Sequence, residues 1–348
     1  MSYFRPNITA MTGYVPGEQP RGEKIIKLNT NENPFACSPK VKAAIGRVVQ
    51  AGLQKYPDPS ATAFRIAAGD LYGFDPSWIL CGNGSDELLT MLTRAFVDTG
   101  DVIRFANPGY ILYKTLAEIQ GARVDVVSFN ADWSLAEAFT KPIDRLKLAF
   151  LANPNSPSGT LVLPAEVAKL ADALPCPLVV DEAYVDFADT NCLSLVKENE
   201  KIIVTRTLSK SYALAGLRFG YLFAQPQIIE QLAKVKDSYN CDALSIAGAT
   251  AAIDDQAWLT ETRTAILATR ERMTASLREL GFASVPSQAN FVWNPHPSLP
   301  VEPLYQKLKA SGVLVRYMNY SGWGDGLRIS VGSDEQVDAC LALMKSIV

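Results

Sequence analysis

Short apolar runs alternate with longer amphipathic stretches through the middle of the chain. Ile79–Cys81 reads as a strand ending in Gly-Asn-Gly-Ser, and Ser85–Val97, apolar at helical spacing, reads as the helix behind it. Val102–Ala106 and Arg123–Val127 read as strands around a helix over Tyr110–Ile119. Leu146–Leu151 is a strand running into Asn-Pro-Asn-Ser-Pro-Ser-Gly, with a helix from Pro164 to Ala173 behind it. Leu178–Asp181, Ile202–Arg206 and Phe219–Phe223 complete the series of strands. Repeated strand–helix alternation predicts an α/β domain with a mostly parallel sheet between helices.

Past Asp242 the rhythm changes. Two long helical stretches, Ala243–Asp254 and Gln256–Leu280, precede a strand over Asn290–Trp293 and a helix over Glu302–Ala310. Strands over Val313–Arg316 and Gly326–Val331 and a last helix come after them, which predicts a smaller α+β domain. The beginning of the chain is rich in Pro, Gly and Asn and shows little periodicity. The expected organisation is an arm over residues 1–45 packing on the small domain or a partner subunit, a large domain over 46–241 and a small domain over 242–348.

Composition narrows the chemistry. A net charge of −3 over 348 residues gives no electrostatic case for nucleic acid or an anionic membrane. No apolar run reaches membrane-spanning length, and the first twenty or so residues lack the basic start and apolar core of a secretory signal. Cys37, Cys81, Cys176, Cys192, Cys241 and Cys340 are scattered without a CxxC pair, so no zinc or dithiol site is expected and cytoplasmic, reduced thiols are. The single histidine, His296, sits in a proline-rich turn, so proton transfer falls to a lysine, carboxylate or tyrosine.

In open α/β sheets ligands bind beyond the carboxyl ends of strands. The segments just past the strand ends of this chain are GNGSDE, NPGY, NPNSPSG, DEAY and RTLSK. Lys210, between Ser209 and Ser211, can form an imine with an aldehyde, and hydroxyls with a nearby arginine, Arg218, can hold that aldehyde's phosphate. Those are the needs of pyridoxal phosphate. Gly82–Asp86, with Gly84 and the Ser85 hydroxyl, can bring free N–H groups to a phosphate at a helix start, or can be a plain capped turn. Tyr110 can stack on a pyridine ring or sit in the core. Asn153 can donate to a phenolic oxygen or tie its own turn together. Asp181 closes a buried strand, where a carboxylate needs a cation such as a protonated pyridine nitrogen; a cap or structural ion pair is the other reading. Tyr184 can donate to the phenolate oxygen. Arg316 and Arg328, in apolar strands, suggest anion recognition.

These motifs, in this order, resemble the fold-type I pyridoxal-phosphate-dependent aminotransferases. GYVPGEQP (Gly13–Pro20), LNTNENPF (Leu28–Phe35), KYPDP (Lys55–Pro59), TLSKSYALAGLRFGY, KVKDSYN (Lys234–Asn240) and DGLRISVG (Asp325–Gly332) extend the likeness over nearly the whole chain, and YVPGEQP with KVKDSYN points to the histidinol-phosphate branch. The resemblance implies a seven-stranded sheet in the large domain. It implies Lys210 as the imine-forming lysine and proton carrier, Asp181 on the pyridine nitrogen, Asn153 and Tyr184 on the phenolic oxygen, and Tyr110 stacked on the ring. Ser85, Asp86, Thr207, Ser209 and Arg218 would surround the phosphate. Tyr56 would reach the phosphate of a neighbouring subunit, making a homodimer part of the site. Arg328, with Arg316 and Tyr14, would hold the anion of histidinol phosphate and, in turn, of glutamate or 2-oxoglutarate. An aromatic amino-acid aminotransferase or a threonine-phosphate decarboxylase shares this core. Gly13 before Tyr14, and the NPGY form at Tyr110, depart from the usual pattern and leave side-chain preference open.

Overall fold

The structure is a computed structural model and describes residues 3–13, 17–19 and 25–348; Tyr14 lies outside them. Its strands are β1 (Ile26–Lys27), β2 (Ile79–Gly82), β3 (Val102–Asn107), β4 (Arg123–Ser128), β5 (Leu146–Ala152), β6 (Leu178–Asp181), β7 (Ile202–Thr207), β8 (Gly220–Phe223), β9 (Phe291–Asn294), β10 (Val313–Leu314), β11 (Arg316–Tyr320) and β12 (Gly324–Ser330). Seven of them form one sheet in the order β2-β8-β7-β6-β5-β3-β4. β3 to β7 pair in parallel, whereas β8 runs antiparallel to both β7 and β2.

The central strands are mostly apolar because both faces are covered. Their side chains divide by alternation: Leu178, Val180, Ile202 and Val204 enter one core, while Phe150, Val179 and Ile203 enter the core on the opposite face. A third core lies around the small antiparallel sheet β11-β12-β9, with Met273, Leu277, Leu308 and Met344 from helices and Leu28 from the arm.

Two expectations shift. The helix Pro39–Ala51, begun by the Ser38 side chain on the Lys40 N–H, and the helix Thr62–Tyr72 pack against Ala243–Ile253. Val41, Phe64, Ile246 and Ala249 all lie in the large core, so packing assigns part of the expected arm and the first helix of the expected small domain to the large body. The stretch read as one strand over Val313–Arg316 divides: β10 pairs with β1 of the arm, and β11 with β12. Among the described residues no helix is long and apolar enough to cross a membrane.

Candidate active site

The ends of β2, β3, β5, β6 and β7 converge on one side of the large sheet. At the end of β6, Asp181 is 4% exposed. Its Oδ2 accepts from the Tyr113 hydroxyl at 2.8 Å, and its Oδ1 accepts from the Ala183 N–H at 3.2 Å and the Thr205 hydroxyl at 3.4 Å. All three donors are neutral. Burial pushes the carboxyl up to about 6, the nearby Asp86 pushes the same way, and the Tyr113 hydrogen bond opposes both. A buried carboxylate so placed fits a cationic ligand atom.

Lys210 lies three residues beyond β7, half-buried. Its Nζ donates to the Thr30 carbonyl at 3.1 Å and lies 5.8 Å from the centre of the Tyr184 ring. The arm residues that hold it were not singled out from sequence. Asn33 Nδ2 donates to the carbonyls of Lys210 and Ser211 at 3.0 and 2.9 Å. Asn31, in a left-handed conformation that Asn tolerates, donates to the Tyr184 hydroxyl at 3.0 Å. The next carbonyl back along the arm, Asn29, accepts from Arg328 Nη2 at 3.0 Å. Adjacent carbonyls of the arm, Asn29 and Thr30, therefore hold Arg328 and Lys210.

The helix Ser85–Phe96 begins at Gly84, whose φ is +80°. A Cβ there would lie 2.5 Å from Arg218 Nη2, and one on Gly220 would run into the Ser85 backbone N. Glycine at 220 lets strand β8 come so close to this helix start, and the positive φ favours glycine at 84. Thr207 donates to Ser209 Oγ at 2.9 Å, and Arg218, exposed at the mouth, pairs with Asp86 at 3.3 Å. Tyr110 donates to Asp86 at 3.1 Å and stands edge-on to Tyr113, with ring centres 5.6 Å apart. Helix-start N–H groups, two hydroxyls and one guanidinium make a cradle suited to a phosphate.

Asn153 is buried in the turn after β5. Its amide donates to the Val162 carbonyl at 2.9 Å and to Cys192 Sγ, while its oxygen accepts from the Val162 N–H at 2.7 Å. It ties the turn together, one of the two roles open to it from sequence. Ser156 of the same turn accepts from Arg328 Nη1 at 3.0 Å. Arg316 faces Arg328 directly across the β11–β12 ladder, so both side chains rise from the same face of the sheet. Tyr56 is 81% exposed and stacks on Tyr239, with ring centres 4.5 Å apart.

Four buried cysteines make poor nucleophiles. Burial pushes Cys176 up to about 11 and Cys192, Cys241 and Cys340 up to about 12. His296 accepts from the Ser298 and Leu299 N–H groups and closes its own turn.

Residues 23–343 match the model of the aminotransferase class I and II family. A histidinol-phosphate aminotransferase of Rhodopirellula baltica is 54% identical over 98% of this chain and 95% of its own length. The chain belongs to the histidinol-phosphate aminotransferases, within the class I and II aminotransferases. A second relative of that name, from Geotalea uraniireducens, is 45% identical over 99% of both chains. The crystal structure of histidinol-phosphate aminotransferase from Sinorhizobium meliloti, in complex with pyridoxal phosphate, superposes with a TM-score of 0.90 at 27% identity, over 100% of this chain and 99% of that one. The fold is therefore the fold-type I aminotransferase fold, and pyridoxal phosphate is the cofactor of this aminotransferase. The neutral donors around Asp181 and the glycine-lined cradle fit that group.

Proposed function

We propose that this aminotransferase exchanges the amine of histidinol phosphate with 2-oxoglutarate, giving glutamate, as a step of histidine biosynthesis in the cytoplasm. When bound, pyridoxal phosphate supplies an aldehyde that takes the amine and a ring that stores electrons. Lys210 Nζ would anchor the cofactor and, once displaced, would take the proton from the amine-bearing carbon and deliver it to the cofactor carbon that had carried the aldehyde. Asp181 holds the proton on the ring nitrogen. Tyr184, oriented by Asn31, donates to the phenolic oxygen, and Tyr110 covers the ring. Gly84, Ser85 and Asp86 backbone groups, with Thr207, Ser209 and Arg218, hold the cofactor phosphate. Tyr56 completes that pocket in a partner copy, which accounts for a tyrosine so exposed in one chain.

The observation that carries the substrate reading is Arg316 directly opposite Arg328. Two like charges facing each other across a ladder are destabilising unless an anion lies between them. Histidinol phosphate has no carboxylate, so its phosphate is the anionic handle, and the dicarboxylate partners need the same cations. Tyr14 is assigned beside them by resemblance.

The deciding experiment tracks the absorbance of the loaded enzyme after adding histidinol phosphate without an oxo acid. Conversion of the bound cofactor to its amine form is expected. A spectrum that changes only with phenylalanine or tyrosine would sink the histidinol-phosphate reading and keep an aromatic aminotransferase. Arg316→Gln is expected to raise the KM for histidinol phosphate on the order of ten- to a hundredfold, the worth of one hydrogen bond to a charged group, with kcat little changed. A KM within twofold of the parent would remove Arg316 from the anion site.

A further inference from the structure

We propose that Tyr113 is a positioning residue that keeps Asp181 ionised and correctly turned, and so sets how firmly the protein holds the proton on the cofactor's ring nitrogen. This rests on Asp181 facing that nitrogen.

Tyr113 is 1% exposed. Its ring lies parallel to Phe150, with centres 4.7 Å apart and planes 6° apart, and meets Tyr110 edge-on at 5.6 Å and Phe105 at 6.1 Å. Packing on three sides leaves the ring almost no rotational freedom, so its hydroxyl is aimed rather than merely tethered. The hydroxyl donates to Asp181 Oδ2 at 2.8 Å, shorter than either of the hydrogen bonds on Oδ1. A donor on a carboxylate favours its charged form. The Ala183 N–H and the Thr205 hydroxyl act the same way on Oδ1 through longer bonds, whereas Asp86 repels the charge on Asp181, and Tyr110 and Tyr184 flank Tyr113 as phenols. Burial and the Asp181 charge together push the Tyr113 phenol well above its ordinary range, so it remains a donor at every working pH. The edge contact with Tyr110 links the tyrosine expected over the cofactor ring to the one that holds the carboxylate expected at its nitrogen.

Tyr113→Phe keeps the ring and its three aromatic contacts and removes only the donor. The test measures the dissociation constants of pyridoxal phosphate and of its 1-deaza analogue, which lacks the ring nitrogen, on the cofactor-stripped full chain by equilibrium dialysis. Tyr113→Phe is expected to weaken pyridoxal phosphate by roughly tenfold or more and to leave the deaza analogue unchanged. Equal losses for both ligands, or none for either, overturn the proposal. Asp181→Asn is measured alongside. If it too fails to distinguish the ligands, the placing of Asp181 on the ring nitrogen fails first and the proposal with it. If it distinguishes them while Tyr113→Phe does not, only the proposal falls.

The cofactor-free chain gives a second readout. Asp181 titrates near about 6 when folded, above the ordinary 3.8, so its contribution to stability is complete below about 3.8 and is lost as pH rises through about 6. Removing the Tyr113 donor raises the folded value further. The gap in Tm between parent and Tyr113→Phe should therefore widen from about pH 5 to about pH 8. A gap that is constant across that range indicates lost packing alone and counts against the proposal.

Discussion

Lys210→Ala should lower the rate of the half-reaction with histidinol phosphate by on the order of 10⁴-fold, the upper range for a lost proton carrier that is also the anchoring nucleophile. The fold should survive the change. Lys210 Nζ makes a hydrogen bond only to the Thr30 carbonyl among the described residues, and the backbone of Lys210 stays fixed by Asn33. Single-turnover kinetics with an unchanged far-ultraviolet circular dichroism spectrum would separate chemistry from folding. Added small primary amines should restore part of the rate, because the missing group is a base at a defined place. A half-reaction within tenfold of the parent would mean that another group carries the proton, with Tyr184, whose ring lies 5.8 Å from Lys210 Nζ, one alternative.

The second large effect is on stability, one residue along from Asp181. Glu182 and Arg206 form an ion pair with side chains 0% and 5% exposed. Arg206 Nε and Nη2 both donate to Glu182 Oε2, at 2.9 and 2.7 Å, and the Cys192 N–H donates to Oε1. The guanidinium also lies over the Tyr72 ring at 4.9 Å. Burial alone would push Arg206 down, but the adjacent carboxylate overrides it and holds the guanidinium firmly cationic. Glu182→Ala leaves that cation buried without its partner, which costs about 3–5 kcal/mol. Replacing both residues, Glu182→Leu with Arg206→Met, removes the uncompensated charge and should recover most of the loss. Urea unfolding of the two variants beside the parent checks this. A single substitution costing no more than the double one would show that water reaches the pair. The pair joins β6 to β7, the strands that present Asp181 and Lys210, so the single variant should also bind the cofactor less firmly.

The alternation of strands and helices was legible because each central strand is a short apolar run bounded by turn residues. β6 and the helices Pro164–Ala173 and Glu302–Ala310 fall where the pattern placed them. The helix Thr62–Tyr72 was not legible. It starts from Ala61, in a left-handed conformation, and its first N–H is accepted by Asp58, four residues before Thr62 and outside the usual cap position. The helix Pro39–Ala51 did carry a start signal, Ser38 and then Pro39, within a segment that otherwise reads as an arm.

The strand ends carry local chemistry: a lysine between serines, a carboxylate closing a buried strand, glycines at a helix start. These depend only on neighbours along the chain, so they are readable before any packing is known, together with the fold class and the family. The partners that aim these groups lie far along the chain. Tyr113 reaches Asp181 across 68 positions, Asn31 reaches Tyr184 across 153 and Asn33 reaches Lys210 across 177. Tyr113 sits on the buried face of its helix, where a tyrosine reads as core until its hydroxyl's partner is known. Asn153 and Ser156 share one turn, and only packing decided that the first closes it while the second meets Arg328. The facing of Arg316 and Arg328 depends on hairpin register, which side-chain pattern alone leaves open at the polar turn after Tyr320. Residue types and order are properties of the chain; the direction in which each side chain points is settled only when distant segments pack and the buried polar groups must find donors.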